Sequence, residues 1–197
     1  MKLLKRVRRI LLPACLLPLF ASSGMAAEFK AVQTEKSAIN FVARQMGVPV
    51  EGKFKKFAAR IVFDPDKPER GQAQIEIDLS SIDAGSAEAN EEVKDKAWFN
   101  TREFPAAKFV SGSVKPLGGG RYEASGKMTI KGRTREAIAP FSARIDGNSA
   151  VLEGSIPILR LQYGIGEGLW ADTATVTDEV QVRFRFVLAA PQTSIKK

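Results

Sequence analysis

Few residues in this chain have the chemistry for catalysis, and the scarcity narrows what it can do. Histidine is absent from all 197 residues, and the one cysteine is Cys15, close to the N-terminus. Ser-His-Asp and Cys-His nucleophile systems, histidine-ligated zinc and histidine-ligated haem are excluded on composition alone. No imidazole is available to switch charge near neutral pH. The carboxylates Asp64, Asp66, Asp78, Asp83 and Asp172 fall mostly in turn-like sequence, where aspartate is ordinary. No nucleophile–base pair is legible, so no catalytic residue is assigned, and neither a metal nor a cofactor is expected. Arg60 and Arg160 have the chemistry to hold an anionic group, or to form ion pairs at a rim. The sequence favours binding through apolar surface over catalysis.

The elements that would build such a surface are strands. Ala73–Leu79, Tyr122–Lys131 and Val180–Phe186 alternate apolar and polar residues, the period-two signature of a sheet with one face buried and one in water. Weaker strand patterns cover Ile39–Gln45, Val48–Phe54, Ala58–Phe63, Ala107–Lys115, Ala137–Ile145 and Val151–Ile158. Turn residues separate them at Asp64-Pro65-Asp66, Gly118-Gly119-Gly120, Lys131-Gly132 and Asp146-Gly147-Asn148. One segment breaks the pattern. Ser86–Trp98 lacks Gly and Pro, has a serine placed to cap, and carries Glu92 and Lys96 at i,i+4 spacing, so it predicts a short helix. The glycine-rich stretch Leu159–Asp172 predicts a loop or lid.

About eight strands at this spacing predict an all-β fold, an extended eight-stranded antiparallel barrel or a sandwich. The outward strand faces are charged, the reverse of the apolar belt of an outer-membrane barrel, so a soluble barrel is preferred. By strand parity the inward apolar positions are Phe41, Phe54, Ile61, Phe63, Ile75, Ile77, Phe109, Met128, Ile130, Phe141, Val182 and Phe184. Small residues share that face: Gly52, Ala59, Ala73, Ala124, Gly126, Ala137, Ala139, Ala143 and Gly154. Two readings stay open at this point. Small inward residues leave space for a ligand, or they sit opposite large aromatic ones and the interior is solid.

The N-terminus reads as an export signal. Lys2, Lys5, Arg6, Arg8 and Arg9 precede the apolar stretch Ile10–Phe20, and small residues follow as far as Ala27. The apolar part is short for a membrane span, and Pro13 and Pro18 interrupt it. Cleavage is expected after Ala26 or Ala27, giving a leader over 1–27, a domain over 28–190 and a frayed tail over 191–197. Leu12-Pro13-Ala14-Cys15 has the outline of a lipoprotein processing site, but leaves only about five apolar residues before it, short of the roughly 7 to 15 a signal core needs. The leader holds five of the 30 basic residues and none of the 22 acids, so the formal charge of +8 falls to +3 beyond it. That balance argues against a nucleic-acid partner. Lys53-Phe54-Lys55-Lys56 is the densest basic run left, and reads as a solvated turn.

These residues in this order resemble the YceI-like proteins, sometimes called polyisoprenoid-binding proteins. The likeness runs from about Phe29 to Leu188. It includes Ser37-Ala-Ile-Asn-Phe41, Gly52-Lys53-Phe54, Ile77-Asp-Leu79-Ser-Ser-Ile82-Asp83, Trp98-Phe99-Asn100, Phe104-Pro105-Ala106-Ala107-Lys108-Phe109 and Gly126–Thr134. The resemblance implies a lipocalin-like barrel, export to the periplasm, and a long isoprenoid chain, such as a quinone tail, held inside as ligand. The family often has a histidine before its first Met-Gly or Leu-Gly pair. Gln45 stands there in this chain, ahead of Met46-Gly47; it can hydrogen-bond a head group but cannot become a cation.

Burial energetics suit such a ligand. One five-carbon isoprene unit is worth roughly 3–4 kcal/mol of gross burial, so a few units approach the practical ceiling of about −18 to −21 kcal/mol. Selection on this account is by length and apolarity, and only weakly by the head. The competing reading is a non-enzymatic interaction module for a membrane redox or stress system, with transient membrane or membrane-protein contact. Chain length alone leaves the oligomeric state open.

Overall fold

The computed structural model describes residues 28–191. The expected leader over 1–27 and residues 192–197 of the expected tail lie outside that range.

Strands form where the apolar alternation is strict, and antiparallel pairing carries them further. In chain order they are β1 (Ala31–Val32), β2 (Ala38–Gln45), β3 (Val48–Phe54), β4 (Phe57–Val62), β5 (Gln72–Asp78) and β6 (Ile82–Asp83). After a short helix α1 (Ala87–Glu92) come β7 (Ala106–Gly118), β8 (Arg121–Ile130), β9 (Arg133–Asp146), β10 (Ser149–Leu159) and β11 (Glu179–Ala189). All belong to one curled antiparallel sheet in the order β4-β5-β7-β8-β9-β10-β11-β2-β3-β6, with β1 added beside β11.

Among the described residues there are eleven strands, where eight were expected, and local turn chemistry explains much of the excess. The carboxylate of Asp78 accepts from the backbone and the hydroxyl of Ser80, which winds Leu79–Ser81 into a single tight turn and separates β5 from β6. Opposite that turn, Lys55-Lys56 interrupts β3 and β4; Lys55 N–H donates to the Ser81 carbonyl at 3.1 Å and Asp78 N–H to that of Lys56 at 3.1 Å. β3 with β4 therefore runs as one broken line beside the broken line of β5 with β6. The sheet path ends at β4 and β6; β3, paired with β6, is followed directly in the chain by β4, so the sheet curls round on itself. The basic run Lys53–Lys56 is this bend, with Phe54 buried and the three lysines exposed.

One end of the seam is held by the N-terminal segment. Phe29 and Phe63 exchange two backbone hydrogen bonds of 2.8 and 2.9 Å, while Lys30 and Gln33 donate to the carbonyls of Ala189 and Val187 on β11. Phe29 is buried there. No period-two pattern marks so short a strand, which is why β1 escapes a reading of the sequence.

β9 begins four residues before the expected Ala137. Its first residues, Arg133–Glu136, are exposed, so no apolar alternation shows them. They are extended because they pair with β8 through a two-residue turn in which Lys131 and Gly132 take φ of 49° and 72°. Both central positions with positive φ make the turn type that matches sheet twist.

The helix is shorter than the expected Ser86–Trp98. Ser86 caps it as expected, its hydroxyl accepting from Ala89 N–H at 3.1 Å. Beyond Val93 the chain coils through turns, with Asp95 carbonyl taking both Trp98 and Asn100 N–H groups and Asn100 at φ 49°. The expected Glu92–Lys96 pair does not form; Lys94 pairs with Glu91 at 2.8 Å instead.

Candidate binding cavity

The interior is hollow but unevenly so. Towards the Phe63 end, aromatic rings fill much of the space. Phe63 meets Tyr122 edge-on at 5.0 Å and Phe141 at 5.9 Å, Tyr122 stacks on Phe141 at 5.4 Å, and Phe184 stacks on Phe186 at 5.6 Å. A chamber of about 80 Å³ remains among them. Its wall includes Ile61, Phe63, Ile75, Phe109, Phe141 and Phe184 of the expected lining. Towards the helix end lies a larger chamber of about 290 Å³, to which Phe41, Phe54 and Ile130 contribute. Ile77, Met128 and Val182 line both, so these three side chains stand between the two chambers. All twelve apolar residues expected on the inward face thus border one space or the other.

The small residues divide between the two readings left open by parity. Ala73, Ala124 and Ala139 border the smaller chamber. Gly52 and Gly154 are instead covered by rings. A methyl group on Gly52 would collide with the Phe41 ring, and one on Gly154 with the Phe184 ring and the Pro140 carbonyl. Small residues here serve both purposes, space in one place and close aromatic packing in another.

The three polar residues expected near a head group are scattered. Arg60 is exposed on β4 and borders neither chamber. Gln45 is exposed at the rim of the larger chamber. Arg160 borders that chamber but is buried, at 1% exposure, and forms no ion pair among the described residues. Its Nε donates to Thr177 carbonyl at 3.1 Å, Nη1 to Ile165 and Gly166 at 2.9 Å each, and Nη2 to Trp170 and Val176 at 2.7 Å each. A guanidinium has five N–H groups, and five carbonyls take them all. Burial pushes the Arg160 guanidinium below its usual range, and nearby Asp178 opposes that shift.

Arg160 therefore organises the mouth. The expected loop Leu159–Asp172 is in fact two tight turns, Arg160–Tyr163 and Gly168–Ala171, gathered round this one side chain. Gly166 and Glu167 N–H both donate to Ala97 carbonyl at 2.8 Å, tying the loop to the turns after α1. Lys131, in the β8–β9 turn, donates to Lys96 carbonyl at 2.9 Å and to Glu167 at 3.1 Å, and Arg133 reaches the same carboxylate at 3.1 Å. The Lys131 hydrogen bond, aided by the charges of Lys131 and Arg133, holds Glu167 below its usual carboxylate range.

Sequence reasoning missed the most polar feature of the larger chamber. Glu92 Oε1 accepts from both indoles of the chain, Trp98 Nε1 at 3.2 Å and Trp170 Nε1 at 2.7 Å. The rings lie 5.4 Å apart, and the Arg160 guanidinium sits 5.8 Å from the Trp98 ring centre. The signal was present but unused: a half-buried indole needs an acceptor, and a glutamate six residues before Trp98 could supply one. Reading Glu92 as a helix-surface partner of Lys96 concealed it.

A sequence model of the YceI-like domain matches residues 31–188. The chain belongs to the YceI-like family. A UPF0312 protein of Photorhabdus laumondii is 33% identical over 129 residues, 64% of this chain and 67% of that relative. A UPF0312 protein of Azotobacter vinelandii is 25% identical over 159 residues, 76% of this chain and 82% of the relative. Among solved structures, BcnA of Burkholderia cenocepacia is 42% identical with a TM-score of 0.78, covering 79% of this chain and 98% of that one. A polyisoprenoid binding domain from Saccharophagus degradans covers 84% of this chain and 99% of its own at a TM-score of 0.62. At 17% identity that likeness speaks for the fold alone. In this YceI-like chain the shared barrel thus carries two adjacent apolar chambers beneath a mouth clamped by Arg160.

Proposed function

We propose that this chain is a non-enzymatic carrier or store for an isoprenoid lipid, a polyprenyl or quinone tail held within the barrel, and that it acts in the periplasm. The carrying observation is the pair of adjacent apolar chambers, which share Ile77, Met128 and Val182 in their walls. An apolar chain fits such a wall, with recognition of polar groups confined to the mouth. Family membership and the named ligand class of the Saccharophagus degradans domain support the same ligand. The export signal read in residues 1–27 supports the compartment.

The volumes set a limit. A dry cavity of about 150 Å³ holds one benzene, so about 290 Å³ accommodates roughly two isoprene-sized pieces. A longer tail must part the Ile77, Met128 and Val182 side chains and displace rings such as Phe141 and Phe184, or leave its end in the mouth. Affinity in a series of prenols from one isoprene unit upward should rise steeply to about two units and then level off. The mouth holds both tryptophans of the chain, so their emission reports the titration. Absence of saturable binding for every chain length would remove the proposal.

One observation favours contact with an apolar partner during loading. Met46, Val48 and Leu169 are exposed at 73%, 63% and 96%, beside chamber residues Gln45, Val50 and Trp170. On this reading the carrier meets a membrane or a membrane protein with its mouth. Polar substitutions at the three should slow lipid transfer from vesicles without changing equilibrium affinity; unchanged transfer rates would count against it.

A further inference from the structure

Two polar side chains of the larger chamber's wall have spare hydrogen-bonding capacity: Gln45, exposed at the rim, and the half-buried Glu92, which can only accept. Glu92 and Arg160 are the ionisable residues in its wall. Arg160 has no donor left, because all five N–H groups reach backbone carbonyls. Glu92 differs. Its Oε1 takes both indole N–H groups, while Oε2 accepts no hydrogen bond and Glu92 pairs with no cation among the described residues. No fully buried side-chain oxygen among those residues lacks a partner, so Oε2 is open rather than sealed in packed protein. Two indole donors on one oxygen fix the carboxylate in place, so the second oxygen is presented without further ordering cost.

We propose that Glu92 is the specificity-determining residue for the lipid head: it accepts a hydrogen bond from a neutral hydroxyl-headed isoprenoid, an alcohol or phenol, and disfavours a phosphate-headed one. The inference rests on the carrier reading and adds the head-group class to it. A hydroxyl supplies the donor that Oε2 lacks. A methyl ether of the same tail fills the same space without a donor and leaves the carboxylate unpaired. A phosphate brings negative charge beside a carboxylate, and Arg160, the cation in the chamber wall, has no N–H left to bond it. Arg160, the residue that sequence alone suggests for an anionic head, is spent on holding the mouth together.

The test uses one tail and three heads: farnesol, farnesyl methyl ether and farnesyl phosphate, each titrated against wild-type protein and Glu92→Gln. Hydrogen bonds to charged groups are strong enough that wild type should prefer farnesol over the ether by about 10- to 100-fold, and over the phosphate by at least as much. Glutamine keeps an oxygen for the two indoles but offers an amide N–H where Oε2 stood. In Glu92→Gln the preference for farnesol over the ether should shrink to about threefold or less, and the phosphate should gain relative to both. Wild type binding farnesol and its ether within twofold of each other would overturn the inference while leaving the carrier reading intact. Retention of full head-group preference in Glu92→Gln would overturn it too. If none of the three ligands binds wild type, the carrier reading and this inference fall together.

Discussion

Replacing Arg160 by lysine isolates what holds the mouth closed. Lysine keeps the positive charge but has three N–H groups where arginine has five, and a shorter reach. At least two of the carbonyls of Thr177, Ile165, Gly166, Trp170 and Val176 then lose their donor. Each buried acceptor left unpaired costs about 1–3 kcal/mol, so Arg160→Lys should cost about 2–6 kcal/mol. Domain stabilities run to only about 5–15 kcal/mol, so part of this is expected to appear as local opening of residues 160–178. The lower bound alone predicts a fall in Tm of about 4–8 °C for a domain this size. Two readouts separate local from global effects: urea unfolding by far-UV circular dichroism, and amide exchange at Gly166 and Glu167, whose N–H groups bond Ala97. Tryptophan emission adds a third, since Trp98 and Trp170 both lie at the mouth. An Arg160→Lys protein with unchanged midpoint, exchange and emission would refute the reasoning.

Three further outcomes follow from the same geometry. Phe29→Ala empties a buried site at the seam and should cost about 3–5 kcal/mol in urea unfolding; a change under about 1 kcal/mol would show the seam closes without it. Val182→Phe thickens the partition between chambers, so a two-unit prenol should bind as before while long prenols, which must part it, weaken about tenfold or more in competition assays. Because Glu167 titrates below its ordinary 4.5 when folded, its ties to Lys131 and Arg133 stabilise the mouth above pH 4.5 and are lost as pH falls through the lowered value. Tryptophan emission should therefore shift in that acidic window, and Glu167→Gln should remove the shift.

Strand positions were legible because parity and burial coincide: Val48–Phe54 has the expected bounds, and the other long strands differ at their ends. What parity could not show lay in turns and in non-local pairing. β1 and β6 are two residues each, placed by bonds to β11 and β3 from far along the chain. The apolar wall was readable for the same reason as the strands. The mouth was not. Arg160 looks like a surface cation in sequence, and only the convergence of five carbonyls from residues 165–177 explains why it is buried. Glu92 was equally hidden, since its second indole partner lies 78 residues away.

The account depends on the hollow being occupied by a prenyl chain. Intact-complex mass spectrometry of protein purified from its native host, followed by solvent extraction of the released ligand, tests this most directly. The account predicts a non-covalent adduct that extracts as a prenyl lipid with a hydroxyl head. Ligand-free protein that also takes up no prenol when incubated with one would contradict it.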